Sequence, residues 1–174
     1  STAENSTAVT TVTSTDADTG ATATYSISGG ADQALFTINA ATGVLAFAAA
    51  PDFEDPDDAD TDNVYEVEVE VSDGIATDTQ TISVTVTDAN EAPAVSSNGG
   101  GATAAISIAE NGTAVTTVTR TDPDAGATAT YSISGGADQA LFTINVATGV
   151  LALITAPDFE TPTDDGADNV YDVE

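Results

Sequence analysis

The 174-residue sequence predicts an all-β fold built of tandem antiparallel β-sandwich repeats, the second of them incomplete in this chain. Three observations lead to this prediction. Apolar and polar residues alternate in short runs, which is the period-two pattern of half-buried strands. β-branched residues dominate these runs, and turn residues separate them at short intervals. The sequence also repeats itself at an offset of 106 residues, so the same set of strands is expected twice.

The internal repeat is close to identity over much of its length. Residues 21–39 recur unchanged at 127–145. Aligning residues 1–68 with 107–174 gives 53 identities in 68 positions. One repeat of 106 residues is therefore present in full, and a second copy is cut short.

The ends of the two copies suggest how the chain is organised. The first copy has no equivalent of residues 94–106, and the second stops at Glu174, within a run that continues in the first copy. We interpret the chain as a window from a longer tandem array, with one domain at 1–93 and another at 94–174. The alternative is that a strand from a neighbouring subunit completes the second domain.

Individual strands follow from the alternation. In residues 64–71, Tyr65 and three valines share one face while three glutamates share the other. Residues 39–43, which end in Gly43, join two short apolar runs into a hairpin. The predicted strands are 7–13, 22–28, 35–38, 44–47, 64–71 and 81–87, with 103–108 opening the second copy. Seven short strands in about 100 residues, without a helical period, predict an immunoglobulin-like Greek-key sandwich.

Composition excludes several classes of function. The chain has 29 acidic residues, one basic residue (Arg120), and no Lys, His or Cys, giving a net charge of −28. One cation cannot form a nucleic-acid footprint, and an anionic membrane surface would repel the chain. Disulfides, thiolate–zinc sites, Ser-His-Asp triads and Schiff-base chemistry are excluded by the missing residue types. No apolar run approaches the ~20 residues of a membrane span, and no signal-peptide pattern is present.

The acids concentrate in the predicted loops. Two carboxylates 4 Å apart repel by about 4 kcal/mol at an effective dielectric constant of ~20, so such loops favour a bound cation. Oxygen donors without nitrogen or sulfur select Ca²⁺, which tolerates irregular geometry better than Mg²⁺ does. The clustered acids are Glu4, Asp16, Asp18, Asp52, Glu54, residues 55–62, Asp73, Asp88 and Glu91.

Five short elements, in order, resemble the cadherin family. Residues 3–5 (AEN) resemble its PEN element, and residues 15–20 (TDADTG) its DxDxG element. Residues 52–54 (DFE) resemble LDxE, and residues 71–74 (VSDG) resemble the A-x-DGG strand end. Residues 88–93 (DANEAP) are similar to the DxNDNxP linker. The small, Thr-, Ala- and Asp-rich composition resembles the cadherin-like repeats of very large bacterial surface adhesins.

The resemblance implies Ca²⁺ ions between consecutive repeats. The implied junction ligands within this chain are Glu4, Asp52, Glu54, Asp88, Asn90, Glu91, Asp122 and Asp124. The implied ligands towards a preceding repeat are Asp16, Asp18 and Asp73, and those towards a following repeat are Glu110, Asp158 and Glu160. Glu91 and Ala92 depart from the linker pattern, so we expect one or two ions at a junction rather than three.

The resemblance implies a non-catalytic extender of an extracellular, calcium-dependent bacterial adhesin or surface fibre. Its partners would be neighbouring repeats of the same protein and, in a fibre, other copies. Paired carboxylates such as Asp52 and Glu54 could act as the acid and base of glycoside hydrolysis, but no aromatic platform accompanies them, and we expect no enzyme activity.

Three alternatives stay open. One is a filament subunit closed by strand complementation between chains. Another is a glycan- or ice-binding module, suggested by the Thr-x-Thr runs. The third is a solvated acidic surface with no bound ion. For Asp58, Asp60 and Asp62 we favour this last interpretation, because Gly166 replaces the middle carboxylate in the second copy.

Overall fold

A computed structural model describes residues 1–18 and 20–174. Strands are the main regular secondary structure of these residues, and the helical segments among them are short 3-10 turns at Gln33–Leu35, Ser97–Gly99 and Gln139–Leu141. The all-β prediction is therefore confirmed. The chain divides into two units, Ser1–Asn90 and Glu91–Glu174.

Unit 1 is a sandwich of two sheets. Its strands are β1 (Thr2–Ala3), β2 (Ala8–Thr11), β3 (Thr24–Gly29), β4 (Phe36–Ile38), β5 (Val44–Phe47), β6 (Val64–Ser72) and β7 (Thr77–Thr87). One sheet has the order β1-β7-β6-β3 and the other β2-β5-β4. The β1–β7 pair is parallel and the remaining pairs are antiparallel. The predicted strands all appear, with Leu35 in the 3-10 turn that precedes β4.

The core of unit 1 lies between the sheets, where the alternation predicts it. Tyr65 and Val67 of β6 are 1% and 0% exposed, and Val86 of β7 is 1% exposed. The Phe47 ring meets the Tyr65 ring edge-on at a centroid distance of 5.0 Å. Burial of each such side chain stabilises the fold by about 1.5–3 kcal/mol. The buried core residues are Phe36, Leu45, Phe47, Tyr65, Val67, Val69, Val84 and Val86.

Unit 2 forms only part of the same arrangement. Its strands are β8 (Ala94–Val95), β9 (Ala114–Thr117), β10 (Arg120–Thr121), β11 (Phe142–Ile144) and β12 (Val150–Leu153). The sheet β11-β12-β9 corresponds, at the 106-residue offset, to β4-β5-β2 of unit 1. β8 and β10 form a separate antiparallel pair. Phe142, Leu151 and Leu153 are buried in its core.

The prediction of an opening strand at 103–108 is wrong for this structure, because those residues join no sheet. In unit 1, β1 is held by its pairing with β7. At the offset of 106, β1 corresponds to residues 108–109, which form no strand either. The alternation in the sequence describes one strand and carries no information about whether its neighbour is present.

Candidate metal sites

Glu4 is a buried carboxylate that joins two of the predicted ligand segments. It follows β1 and is 3% exposed. Its Oε2 accepts a hydrogen bond from Phe53 N–H at 2.8 Å, and its Oε1 accepts one from Ala89 N–H at 2.7 Å. A carboxylate offers about four lone-pair positions. Glu4 therefore fixes residues 52–54 and the segment after β7, and keeps capacity for a cation.

Asp52 shapes the loop that carries Glu54. Its Oδ1 accepts hydrogen bonds from the backbone N–H groups of Glu54 at 3.0 Å and Asp55 at 3.2 Å. A short Asp side chain that bonds to the backbone two residues later stabilises a tight turn. Asp88 and Asn90 follow β7 and are exposed, in the segment that Glu4 holds through Ala89.

Unit 2 brings together the three acids that the resemblance assigns to a following repeat. Glu110, Asp158 and Glu160 each present a carboxylate oxygen, and these oxygens lie within 4.8 Å of one another. The local geometry matches unit 1: Glu110 Oε2 accepts from Phe159 N–H at 3.2 Å, and Asp158 Oδ1 accepts from Glu160 N–H at 3.0 Å. All three acids are exposed.

This cluster, called the triad below, fits Ca²⁺ in spacing and donor type. Oxygens on opposite sides of one Ca²⁺, each about 2.4 Å from it, are about 4.8 Å apart. Its donors are carboxylate oxygens, the hard ligands that Ca²⁺ prefers. Zinc, copper and iron sites more often use nitrogen or sulfur ligands. A complete site needs six to eight oxygens, so the triad would supply half or fewer of them.

The acids assigned to a preceding repeat line one open concavity of unit 1. Asp16, Asp18 and Asp73 surround a space of about 390 Å³. Asp18 N–H donates to Asp16 Oδ1 at 2.7 Å. Asp73 Oδ1 accepts from the N–H groups of Ala76 at 2.7 Å and Ile75 at 2.8 Å, and these bonds lower the pKa of Asp73 below its ordinary value. Asp73 is therefore a stronger acid than an ordinary aspartate.

The junction acids of unit 2 include an ion pair that the sequence does not reveal. Asp124 Oδ2 accepts from Glu91 N–H at 3.0 Å, so these two predicted ligands are already bonded within the unit. Arg120 forms an ion pair with Asp122 Oδ2 and also donates to Ala127 O. The side chains of Arg120 and Asp122 are only 18% and 10% exposed. One carboxylate assigned to Ca²⁺ is thus neutralised by the chain itself.

Residues 58–62 also bring carboxylates together. Oxygens of Asp58, Asp60 and Asp62 lie within 4.8 Å of one another, yet Asp58 is buried and accepts from the N–H groups of Asp62 at 2.9 Å and Asn63 at 3.3 Å. Burial raises the pKa of Asp58, but these hydrogen bonds lower it by more, and the net shift is downward. The neighbouring charge of Asp62 raises the pKa of Asp60. Asp164 accepts the equivalent two bonds in unit 2, where no middle Asp exists, so this carboxylate shapes the loop without requiring a metal.

Asp32 is a buried acid that the sequence analysis missed. It is 4% exposed, and it accepts from Ala59 N–H at 2.8 Å and Glu66 N–H at 2.7 Å. Asp138 accepts the two corresponding bonds at 2.7 and 2.8 Å. The only available signal was that Asp32 lies in the block that recurs unchanged. These acids hold the long loop before β6 and are structural.

The fold and the recurring loop acids agree with a comparison against protein families, in which residues 1–87 match the cadherin domain. The chain belongs to the cadherin domain family. The match covers unit 1, and unit 2 is linked to it by the 53 identities between the two copies. A search of curated proteins finds no significant match.

Solved cadherin structures share this fold. Human protocadherin-24 EC1-2 (form II) is 24% identical with a TM-score of 0.58, over 92% of this chain and 75% of that one. Drosophila N-cadherin EC1-4 is 17% identical with a TM-score of 0.55, over 90% of this chain and 39% of that one. Mouse cadherin-23 EC22-24 is 23% identical with a TM-score of 0.50, over 92% of this chain and 52% of that one. At these identities the likeness concerns the fold alone.

Family membership gives a general functional setting. Cadherin domains are extracellular adhesion modules, are generally non-catalytic, and bind Ca²⁺ in general. Among the residues that the structure describes, no helix has the length and apolar character needed to cross a membrane.

Proposed function

We propose that this chain is a structural extender of an extracellular, calcium-dependent adhesin or surface fibre. The observation that carries the proposal is the triad: a cadherin-family chain brings Glu110, Asp158 and Glu160 together at the place the resemblance assigns to Ca²⁺. In this proposal both copies, 1–93 and 94–174, are cadherin repeats. Neighbouring repeats of the same protein are the main partners, and the Thr-, Ala- and Asp-rich composition favours a bacterial cell surface as the location.

The proposed ligands fall into three sets. At the junction they are Glu4, Asp52, Glu54, Asp88, Asn90, Glu91, Asp122 and Asp124. The other two sets are Asp16, Asp18 and Asp73 in the concavity of unit 1, and Glu110, Asp158 and Glu160 in the triad. Support comes from within each unit: Glu4 and Asp52 preorganise their loops through backbone hydrogen bonds, as Glu110 and Asp158 do in unit 2. Preorganisation lowers the ordering cost of binding.

Stiffening follows from linkage between binding and order. Carboxylates that repel one another favour loops that are spread apart, and a bound Ca²⁺ supplies the positive charge that lets them converge. A ligand that binds only the ordered state stabilises it by RT ln(1 + [Ca²⁺]/Kd), about 2.7 kcal/mol when its concentration is 100 times Kd. Millimolar extracellular Ca²⁺ suits weak sites of this kind.

Isothermal titration calorimetry with CaCl₂ tests the proposal. We expect the double variant Glu110→Gln with Glu160→Gln to lose at least one Ca²⁺ equivalent. The control variant, Glu66→Gln with Glu70→Gln on the outer face of β6, removes the same two charges and should bind as the unchanged chain does. Equal loss in both variants would show that only net charge matters.

Small-angle X-ray scattering separates stiffening from binding. We expect the maximum dimension of the full chain to rise with CaCl₂ and to fall again with EGTA at fixed ionic strength. If Ca²⁺ binds without changing the maximum dimension, the chain binds calcium but is not stiffened by it, and the proposed extender role is wrong.

A further inference from the structure

The outer face of the sheet β11-β12-β9 carries exposed aliphatic side chains. Burial alternates along β12 and the residue that follows it. Leu151 and Leu153 are buried in the core, whereas Val150 is 48% exposed and Ile154 is 63% exposed. Ala152, between these two, is half-buried. Val150, Ala152 and Ile154 therefore lie on the side of the sheet that faces away from the core.

The two neighbouring strands extend this face without adding a charge. Thr143 of β11 and Ala114 of β9 both stand opposite Ala152. Thr117 of β9 stands opposite Val150. Residues 111–119 and 139–157, which contain the three strands, include no acidic or basic residue in a chain with 29 acids. We call this surface the neutral face, and it consists of Ala114, Thr117, Thr143, Val150, Ala152 and Ile154.

Unit 1 shows how unevenly the charge of this chain is distributed. Its strands β2, β4 and β5, which correspond to β9, β11 and β12, are also uncharged. The other sheet of unit 1 differs, because the outer face of β6 carries Glu66, Glu68 and Glu70. The residue of unit 1 that corresponds to Ile154 is Ala48, so the apolar surface of this sheet is larger in unit 2.

We propose that the neutral face binds the neutral face of a second copy of this chain. Each copy carries a net charge of −28, so two copies repel one another over most of their surfaces. The repulsion is smallest where both contacting surfaces lack charge, and burial of the exposed aliphatic groups there supplies the attraction. A cationic partner would instead be drawn to the acids elsewhere on the chain. A two-fold contact of one patch with itself needs no complementary charge.

The size of the neutral face sets the expected strength of the contact. Three strands about 4.8 Å apart, followed over residues 150–154 at about 3.4 Å per residue, give a face of roughly 14 by 17 Å. A stable interface buries about 800 Å² on each partner, so we expect rapid and reversible association with a Kd of about 1 mM. Repeated along a fibre, such contacts would add up to lasting lateral association. That last step rests on the proposed extender function, whereas the contact itself does not.

Dilution of the ¹⁵N-labelled full chain, followed by two-dimensional NMR in EGTA, tests the contact residue by residue. Over a concentration range that brackets the expected Kd, we expect concentration-dependent amide shifts at 114–117, 143 and 150–154 and none along β6. A chain that stays monomeric throughout this range would overturn the proposal. Concentration-dependent shifts confined to another surface would overturn it as well.

The response to salt separates an apolar contact from a charged one. Added NaCl should strengthen the association, because it screens the repulsion between copies and the neutral face has no ion pair to weaken. Association that weakens with NaCl would be driven by charge and would contradict the proposal. Because these titrations are made in EGTA, their failure leaves the calcium proposal intact, and a failure of calcium binding leaves this contact intact.

Two matched variants locate the contact. Ile154→Ala introduces the residue that unit 1 has at the same position, so the fold should tolerate it, and we expect it to weaken the association by about threefold or more. Ile75→Ala makes the same change in the turn between β6 and β7, at a residue that is 95% exposed and lies outside the neutral face. This control should associate as the unchanged chain does. Equal weakening by both variants would show unspecific attraction between exposed apolar groups and would overturn the proposal.

Discussion

The guanidinium of Arg120 neutralises a carboxylate that the cadherin resemblance assigns to Ca²⁺. In the first copy the equivalent residue is Ser14, which carries no charge, so the Asp16 loop has no such internal cation. Arg120 bonds to Asp122 and to the carbonyl of Ala127, which ties together both ends of the loop. The two loops share the DxDxG pattern, and the residue at this position makes them differ in charge.

Replacing Arg120 by the residue of the first copy tests this difference. Arg120→Ser should tighten Ca²⁺ binding by about tenfold, or about 1.4 kcal/mol, because Asp122 is released as a ligand. Without Ca²⁺ the same variant should be less stable by about 1–3 kcal/mol, since a largely buried carboxylate loses its hydrogen-bond partner. Calorimetry and urea unfolding in EGTA measure the two effects. Arg120→Lys, which retains the charge, should change both quantities less.

The buried carboxylate of Asp58 gives a prediction about pH. Its pKa lies below the ordinary value of 3.8, so its contribution to stability is complete above pH 3.8 and is lost as pH falls through the folded-state pKa. Asp58→Asn should cost about 1–3 kcal/mol at pH 7, because one of the two bound backbone N–H groups loses its acceptor and the other keeps only an uncharged one. This cost should shrink below pH 4. Urea unfolding from pH 7 to pH 2 measures it, and a constant difference at all pH values would contradict the argument. Asp57→Asn, at an exposed position, is the control.

At the scale of elements, the sequence predicts what depends on local alternation and misses what depends on distant partners. β6 and β7 follow from period-two patterns, and Tyr65 and Val67 lie in the core as expected. Residues 103–108 join no sheet, because an alternating pattern does not by itself supply a pairing partner. Asp32 was missed for a similar reason: its hydrogen-bond donors lie 27 and 34 residues away. The triad acids do come together, and no local pattern reveals the Arg120 ion pair.

Val67 of β6 and its counterpart Val173 allow one substitution to be compared in two settings. Val67 is 0% exposed, whereas its counterpart Val173 is half-buried. Val67→Ala should destabilise unit 1 by about 2–3 kcal/mol, from two lost methyl groups and the cavity they leave. Val173→Ala should cost unit 2 clearly less. Urea unfolding followed by residue-resolved hydrogen exchange measures both, and equal costs would contradict the difference in burial between the two valines.

At the scale of the whole molecule, the net charge of −28 works against folding. The charge comes from 29 acids opposed by one arginine. Like charges at this density destabilise a compact state, and any salt relieves part of the repulsion by screening. General screening and specific binding therefore both predict that salt raises stability. Only the identity of the cation at equal ionic strength separates them.

Thermal unfolding in CaCl₂, MgCl₂ and NaCl at matched ionic strength makes that separation. Ca²⁺ sites formed by irregular carboxylate loops should raise the melting temperature most in CaCl₂, because Mg²⁺ demands an octahedron and keeps its water. A site contributing about 2.7 kcal/mol corresponds to a rise of about 10 °C or more in a unit of this size. NaCl should raise it by much less. The Glu110→Gln and Glu160→Gln variant should lose part of the CaCl₂ increment and keep the NaCl increment, because it removes ligands and leaves the general screening almost unchanged. Identical curves in the three salts would assign the acids to a solvated surface, and the cadherin fold of this chain would then work without its usual ion.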